Sequence, residues 1–357
     1  MKRSQKARTK SQVTSLKKLF CRRLWSREKA RVRRGGRSRL NKRFGDRLVR
    51  IQIRAPDAIA MATPDERTEL CRFLKQLRET ATNPSARIVL DFSSTTSIAS
   101  SGAVFLIGEI DRAIAARLAS IQARRSKTPL VEEVFQQIGI YAKLGIKCDI
   151  APASESVIHW QVASGTLAEG AKSGSILESY EGRLPEGLTR GLYDGLVEAM
   201  TNTVHHAYPD DHEGKRHRRH LGKRWWMLSQ ERDEILTVAF CDLGIGIPRS
   251  LPKSKTYEAS TLREFWRNTG LDKTDASAIS VAVQIGKSRT GLKQRGYGLA
   301  EIVSRAKTNS NGGVLITSNR GIFIANDGRE DVFNHKYSVN GTLIQWTTPI
   351  ISDEING

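Results

Sequence analysis

The chain has 357 residues, of which 39% are hydrophobic and 27% charged, enough for two ordinary domains that each bury a core. No apolar run approaches the roughly 20 residues of a membrane-spanning helix, no apolar segment of a signal peptide follows the basic N-terminus, and the four cysteines are far apart in the sequence. These features argue against export, a disulfide framework and a CxxC-type zinc site, so a cytoplasmic protein with reduced thiols and no membrane contact is expected.

The formal net charge of +21 is concentrated at the N-terminus. Residues 1–50 contain 20 Lys and Arg against Glu28 and Asp46, a net charge of +18, which leaves +3 for the other 307 residues. We expect residues 1–46 to form a basic disordered arm. Such an arm favours nucleic acid or another polyanion as a partner, because each neutralised phosphate releases counterions. A solubilising tail, or docking on an acidic protein, is the alternative.

Residues 47–152 alternate between strand and helix patterns. RLVRIQIRAP alternates apolar and basic residues from Arg47 onward, which is the period of a half-buried strand. Pro64 then opens a predicted helix, whose apolar face consists of Leu70, Phe73, Leu74 and Leu77. The later pattern predicts a buried strand at Ile88–Phe92, a long helix from about Ser101, a short helix around Pro129–Ile138 and a closing strand at Ile146–Ile150. This order is typical of an α/β domain.

The segment VLDFSSTTSIASSG, followed by a helix, is the most informative part of this region. Residues 47–152 resemble the STAS domain of bacterial anti-sigma-factor antagonists, in which a loop at a helix N-terminus carries a phosphorylatable serine. Ser100 falls at that position, but Ala99 replaces the acidic residue of the family's pattern. We therefore expect Ser100 or Ser101 to cap the helix rather than to act as a phosphorylation switch. The resemblance implies a protein partner for this domain.

Residues 153–183 contain one predicted strand, Val157–Val162, and a stretch rich in Gly, Ser and Ala, which we interpret as a linker. A predicted helix over Pro185–Tyr208 follows, in which Glu198 and Asn202 stand one turn apart on the same face. The amide oxygen of Asn202 suits Mg²⁺, a hard cation, and the carboxylate of Glu198 can orient and deprotonate a water molecule. For this spacing alone, an exposed polar face is the alternative.

A strand predicted at Ile235–Cys241 ends in Asp242, and Gly244 and Gly246 follow directly. A carboxylate at a strand end can accept a hydrogen bond from the amino group of adenine. The glycines allow the backbone to pass close to the base and the ribose. Two glycines at fixed offsets behind an aspartate are a weak signal alone, and they gain weight beside the pair on the preceding helix.

Gly296, Gly298 and Leu299 precede the helical segment AEIVSRAK. Glycines at a helix N-terminus expose amide N–H groups where the helix dipole is positive, which suits a phosphate group. The polar segment before them ends in GKSRTGLKQ, where Lys287 is a candidate to contact a γ-phosphate; a solvated basic loop is the alternative. Three predicted antiparallel strands follow, with the sequences GGVLITSN, GIFIAN and GTLIQWTTP.

Together these motifs resemble the ATP-binding domain shared by gyrase, heat-shock chaperones, histidine kinases and MutL (GHKL). The first helix continues into His206-Ala207 as the family's first motif requires, the two glycine motifs follow in order, and Gly341-Thr342 match its final Gly-Thr dipeptide. The resemblance covers residues 184–350 and implies a two-layer α/β sandwich, a mixed sheet covered by helices, within a domain of residues 184–357. The polar segment before Gly296 would be the mobile lid over the nucleotide.

The resemblance implies ATP and Mg²⁺ as cofactors, with Glu198 as the catalytic base and Asn202 as the metal ligand. It also implies nucleotide contacts from Asn202, Asp242, Gly244, Gly246, Lys287, Gly296, Gly298, Leu299 and Thr342. Three functions are compatible with these motifs: an ATP-gated conformational switch with slow hydrolysis, a serine protein kinase of the anti-sigma-factor type acting on a STAS domain, and a nucleic-acid-binding protein dominated by its basic arm. Glu198 favours the switch, since a hydrolytic base is what it requires.

Overall fold

The elements of the N-terminal half follow the predicted order in most places. In a computed structural model of the chain, the described residues are 49–116, 119–148, 150–151, 154–180, 182–184, 188–209, 222–253, 272–288, 299–300, 303–304, 312–326 and 328–350, so the predicted arm, residues 1–46, lies outside them. The first elements are β1 (Val49–Arg54), β2 (Ala58–Ile59), α1 (Pro64–Thr80), β3 (Ala86–Asp91), β4 (Ser97–Ile98), α2 (Ser100–Ala116), β5 (Ser120–Arg124), α3 (Pro129–Gln137) and α4 (Ile140–Leu144). Strands β1, β3 and β5 form a three-stranded sheet, and β2 and β4 form a two-stranded parallel ladder.

The second half is built around a larger sheet. Its elements are α5 (Glu155–Ile158), β6 (Gln161–Gly165), α6 (Gly170–Leu177), α7 (Leu188–Asn202), β7 (Trp225–Arg232), β8 (Ile235–Asp242), α8 (Ile247–Ser250), α9 (Asp275–Ser288), β9 (Gly313–Ser318), β10 (Gly321–Asn326), β11 (Arg329–Asn334) and β12 (Thr342–Pro349). Seven strands form one sheet in the order β11-β10-β9-β12-β8-β7-β6. Among the described strands all six ladders are antiparallel, so the expectation of a mixed sheet is wrong for this part of the chain, whereas the expected α/β class is confirmed.

Both faces of the seven-stranded sheet are covered. On one face, Trp225 and Phe240 pack in a core with α7 and α9. On the other face, Trp226 and Cys241 pack in a core that includes α2 and much of the three-stranded sheet. The described residues from Arg50 onward belong to one compact unit. Residues 47–152 therefore supply a layer of apolar side chains that closes the second face of the sheet, giving three layers where two were expected.

The strand sequences contain the signal for this third layer. A sheet with one solvated face alternates apolar and polar residues, whereas a sheet covered on both faces has continuous apolar runs. The run Trp225–Leu228 is fully buried, and from Leu236 to Cys241 of β8 only Thr237 is partly exposed. The absence of alternation in these two strands indicates burial on both sides.

The helices predicted in residues 47–152 are present in the structure, whereas one predicted strand is not. Thr63 and Glu66 form a reciprocal capping box at the start of α1, and all four residues of its predicted apolar face are buried. The closing strand at Ile146–Ile150 is wrong: Gly145 has φ 72° and ends α4, and the Ile146 N–H donates to the carbonyl of Tyr141. That amide closes the helix in a Schellman-type turn and does not join a ladder.

The segment predicted as a linker, residues 153–183, is largely structured. The predicted strand Val157–Val162 is displaced, since α5 occupies Glu155–Ile158 and the strand begins at Gln161. Strand β6 pairs with β7 at the edge of the seven-stranded sheet, and α6 packs beside α7. Gly165 is required there, because a Cβ atom would lie 2.6 Å from the Trp225 ring. Within the described ranges, no helix combines the length and apolar character needed to cross a bilayer.

Candidate functional site

The helix α7 carries the first two candidate residues on its outer face. The apolar residues Leu192, Leu196 and Ala199 face the core, which leaves Glu198 half-buried and Asn202 exposed at the helix end. The Asn202 Nδ2 atom donates to Glu198 Oε1 at 3.3 Å. This bond fixes the rotation of the amide and leaves the amide oxygen for another partner, such as a hard cation.

The carboxylate of Glu198 has the character of a proton acceptor. Burial raises the pKa of Glu198 above its ordinary value, and the bond from Asn202 opposes this shift. A carboxylate with a raised pKa is more basic than one in water, which suits removal of a proton from a nearby water molecule. Burial also lowers the pKa of His206, with a smaller contribution from His205.

A π-helical turn, Thr203–Ala207, continues α7 and lies against the loop that follows β8. The Ile245 N–H donates to the carbonyl of Ala207 at 2.8 Å. A Cβ atom at Gly244 would lie 2.3 Å from the same oxygen, so only glycine permits this approach. π-helical turns are frequent at functional sites, and this one contacts the loop that follows Asp242.

Asp242 ends β8 and faces the same layer as α7. Successive side chains of a strand alternate between faces, and Phe240, two residues earlier, packs in the core with α7. The Asp242 side chain is 6% exposed, and burial raises its pKa to about 7. The Gly244 N–H donates to Asp242 Oδ1 at 2.7 Å, and a bond from the Thr342 side chain also lowers the pKa. Among the described residues, these two groups compensate only part of the cost of burying the charge.

Thr342 lies directly across the sheet from Asp242. The register of β12 against β8 pairs these two residues. Gly341, just before β12, is required by this arrangement, since a Cβ atom there would lie 2.1 Å from the Asp242 carbonyl oxygen. The two motifs predicted separately from sequence, Asp242-Gly244-Gly246 and Gly341-Thr342, therefore meet at one point of the fold.

Two residues that the sequence analysis did not single out hold the loop behind Asp242. Ser318 Oγ accepts from the Ile247 N–H at 2.8 Å and lies 3.0 Å from Thr342 Oγ1. Asn319 Nδ2 donates to the carbonyl of Ile245 at 2.9 Å. Asn319 has φ 52° in the turn between β9 and β10, where asparagine is among the few residues that fit. The dipeptide Asn319-Arg320 before Gly321 is the sequence signal for that turn, but it does not indicate contact with the loop.

Gly246 has φ 79°, a left-handed conformation that favours glycine, and it immediately precedes α8. A Cβ atom at this position would lie 2.6 Å from Asn319 Nδ2. The three glycines of the two meeting motifs therefore serve close packing of the backbone, which keeps the polar groups around Asp242 in one place.

The third predicted motif is only partly described. Gly296 and Gly298 lie outside the described residues, and Leu299 packs against the core shared by α7 and the sheet. Lys287 lies in the last turn of α9, and its side chain lies outside the description. The predicted lid contains α9 over Asp275–Ser288, whose Ile279 and Val283 are buried against the sheet. This part of the segment is therefore a packed helix, and the expectation of a continuous mobile loop is wrong here.

At the start of α2, the expected serine cap is also wrong. The helix begins at Ser100, and the carbonyl of Ala99 accepts from the Ala103 N–H at 2.9 Å, which makes Ala99 the N-cap residue. Ser100 is 2% exposed and Ser101 is 6% exposed. Gly102 lets the helix start lie against β2, because a Cβ atom there would lie 2.3 Å from the Ile59 carbonyl oxygen. The two hydroxyl groups are enclosed by this packing.

The donor set around this site fits the groups that the sequence motifs imply. Asp242 offers a buried acceptor at the end of a strand, and Glu198 and Asn202 offer oxygen ligands on the helix that leads to the junction at Ala207. Comparison of the sequence with models of known protein families and with curated proteins finds no match. The geometry and chemistry of these residues therefore carry the functional argument.

Proposed function

We propose that residues 184–350 form a GHKL-type domain that binds ATP with Mg²⁺ and acts as a nucleotide-gated conformational switch with slow hydrolysis. The observation that carries this proposal is the junction of three separate sequence motifs. The helix of Glu198 and Asn202 reaches the Asp242 loop through Ala207, and Asp242 faces Thr342 across the sheet. A set of unrelated polar residues would have no reason to converge in this way.

In this proposal, Asp242 is the adenine-recognising residue. Its carboxylate is buried, and a hydrogen bond in such surroundings is worth more than in water. An amino group that donates to it would supply a partner that the carboxylate lacks among the described residues. Recognition of adenine would therefore relieve part of the cost of burying Asp242.

Asn202 and Glu198 would serve the phosphate end of the nucleotide. The Asn202 amide oxygen would hold Mg²⁺, and Glu198 would orient and deprotonate the attacking water. Bound Mg²⁺ neutralises charge on phosphate oxygens. The raised pKa of Glu198 and its bond from Asn202 support this division of work.

The loop that follows Asp242 connects the proposed nucleotide site to the opposite layer, as a conformational switch would require. Asp242 belongs to the layer of α7, whereas Leu243 packs in the core of the opposite layer with α2. A displacement of this loop on nucleotide binding would therefore reach the STAS-like layer through one residue. Action as a kinase on Ser100 of the same chain is disfavoured, because that hydroxyl is buried at the start of α2.

The test is a titration of the full-length protein with ATP and Mg²⁺, comparing Asp242→Asn with Asp233→Asn. An amide presents a donor where the adenine amino group also donates, so Asp242→Asn should weaken affinity about ten- to hundredfold, the equivalent of a lost or mispaired buried polar contact. Asp233 is an exposed acid in the β7–β8 turn, and its variant should bind ATP normally. Equal affinity in Asp242→Asn, with an unchanged circular dichroism spectrum, would refute the adenine assignment.

The use of the nucleotide is tested separately with γ-labelled ATP. Slow release of labelled phosphate is the expected result. Label transferred to the protein would instead support the kinase function, and binding without release or transfer would restrict the domain to a nucleotide sensor.

A further inference from the structure

A cavity lies on the α2 side of the loop that follows Asp242. It has a volume of about 280 Å³ and is enclosed by the end of α1, the C-terminal half of α2 and the segment after β8. Leu243, which lines it, packs with α2, whereas Asp242 faces α7. Because neighbouring residues of a strand point to opposite faces, this cavity is distinct from the proposed adenine position.

The charged side chains that line this cavity carry a net positive charge. Glu109 is 1% exposed and accepts from both Arg78 and Arg112, one guanidinium on each oxygen. Arg249 adds a further positive charge at the exposed rim. Of the described lining residues, three are cations and one is an anion, which leaves a net charge of +2. Burial lowers the pKa of Arg112; Glu109 opposes this shift, and the neighbouring Arg78 adds to it.

The hydrogen-bonding capacity of the two half-buried arginines, Arg78 and Arg112, exceeds what Glu109 uses. A guanidinium group has five N–H donors, and the bond of Arg112 to Glu109 engages its Nη2. The remaining donors, together with Arg249, suit an oxyanion, since arginine binds carboxylate and phosphate groups in a bidentate manner. Ala113, Ala116 and Leu243 make the adjacent wall apolar.

We propose that this cavity is a binding site for a compact organic anion, with one carboxylate or phosphate group held by Arg112 and Arg249 and an apolar part against Ala113 and Leu243. Its volume is just below the lower end of the range of about 300–1,000 Å³ typical of ligand pockets, which suits a small ligand. The cavity shares Gly244 with the proposed nucleotide contacts, but the anion would be held by Arg112 and Arg249 and its binding would not require ATP. Since Leu243 and Gly244 form part of its wall, an occupant would contact the segment that follows Asp242.

The test uses the full-length protein without nucleotide and two probes at constant ionic strength, inorganic phosphate and butyrate. Titration calorimetry should show saturable binding of at least one probe. Binding of phosphate alone would identify a phosphate ligand, and binding of butyrate alone a carboxylate ligand. No saturable binding of either probe at millimolar concentration would overturn the proposal.

Two variants place the binding in this cavity. Arg249→Gln should weaken affinity about tenfold, because it removes a charge-assisted contact from an exposed residue that does not support the fold. Ala116→Leu should prevent binding by filling the cavity without changing its charge. Arg329→Gln, an exposed residue of β11 outside the cavity, is the charge-matched control and should bind normally. Wild-type affinity in both Arg249→Gln and Ala116→Leu, with normal thermal unfolding, would locate the anion elsewhere and overturn the proposal.

Discussion

The two faces of the seven-stranded sheet each bury an acidic side chain, and the two acids have different hydrogen-bond partners. On the α2 face, Glu109 is matched by Arg78 and Arg112, and both of its oxygens accept from a guanidinium group. On the α7 face, Asp242 bonds to the Gly244 N–H and the Thr342 side chain, both neutral groups. Burial raises the pKa of Asp242 to about 7.

This difference distinguishes an acid with ionic partners from one with only neutral partners. A buried charge without a cation costs free energy, and buried acids with raised pKa values are frequent at functional sites. Glu109 has its cationic partners within the chain. Among the described residues, only neutral groups bond to Asp242, which is consistent with the proposed adenine recognition. Removing each acid should therefore change stability in opposite directions.

The largest effect is expected for Glu109→Gln. Loss of the carboxylate would leave Arg78 and Arg112 side by side with no anion between them, and breaking a buried ion pair costs about 3–5 kcal/mol. Denaturant unfolding followed by circular dichroism measures this loss. The matched control is Glu79→Gln in α1, whose ion pair with Lys75 is exposed and should contribute less than about 1 kcal/mol. Similar stability of the two variants would contradict the structural role of Glu109.

Gly244→Ala should have the second largest effect on stability. The new Cβ atom would lie 2.3 Å from the Ala207 carbonyl oxygen, so the backbone must move, at a cost of about 2–3 kcal/mol. ATP binding should be lost along with stability, since the junction of α7 and the Asp242 loop would open. Gly174→Ala in α6, where nothing lies within 4 Å of the added atom, should instead stabilise the protein by up to about 1 kcal/mol. Normal ATP affinity in Gly244→Ala would show that the junction is not needed for binding.

Asp242→Asn should stabilise the protein, opposite in sign to Glu109→Gln. The folded pKa of about 7 lies above the ordinary value of 3.8, so the folded protein binds the extra proton between these two pH values, and its stability falls as the pH rises through this window. Asparagine avoids this loss, with a gain of about 2 kcal/mol at pH 8 after allowance for relaxation. The gain should disappear near pH 4. Unfolding curves at pH 4, 6 and 8 test this sign, and a variant that is less stable than wild type at pH 8 would contradict it.

Local sequence patterns predicted several of the individual elements. The apolar face of α1, the helix α7 and the strand that ends in Asp242 depend on neighbours in sequence, so a single sequence contains enough information to predict them. The position of Asp242 opposite Thr342 was not predicted, because the register of β12 against β8 joins residues a hundred positions apart.

Contacts between segments that are distant in the sequence could not be predicted in the same way. The layer that α2 forms on the sheet, the ion pair of Arg78 with Glu109, and the support of the Asp242 loop by Asn319 join residues that are far apart in sequence. No periodicity in one segment specifies its partner in another. Only the continuous apolar runs of β7 and β8 indicated a second covered face, without identifying what covers it.

The smallest effect on stability is expected for Glu198→Ala, although its effect on turnover should be complete. Glu198 is half-buried with a raised pKa, so loss of its charge costs little, and alanine favours a helix interior. Stability should therefore remain within about 0.5 kcal/mol of wild type. Since the carboxylate would contact the attacking water and not the nucleotide, ATP affinity should be retained while phosphate release is abolished.

Two further variants decide whether this carboxylate acts as a base. Glu198→Gln keeps an oxygen that can accept from Asn202 but removes the basicity, so it should also bind ATP and fail to hydrolyse it. Asp194→Asn lies one turn earlier on α7 in an exposed pair with Arg190, and it should hydrolyse ATP at the wild-type rate. Phosphate release is measured with γ-labelled ATP alongside calorimetric affinity for each variant. Wild-type turnover in Glu198→Gln would assign Glu198 a positioning role through Asn202, whereas wild-type turnover in Glu198→Ala would remove it from the reaction altogether.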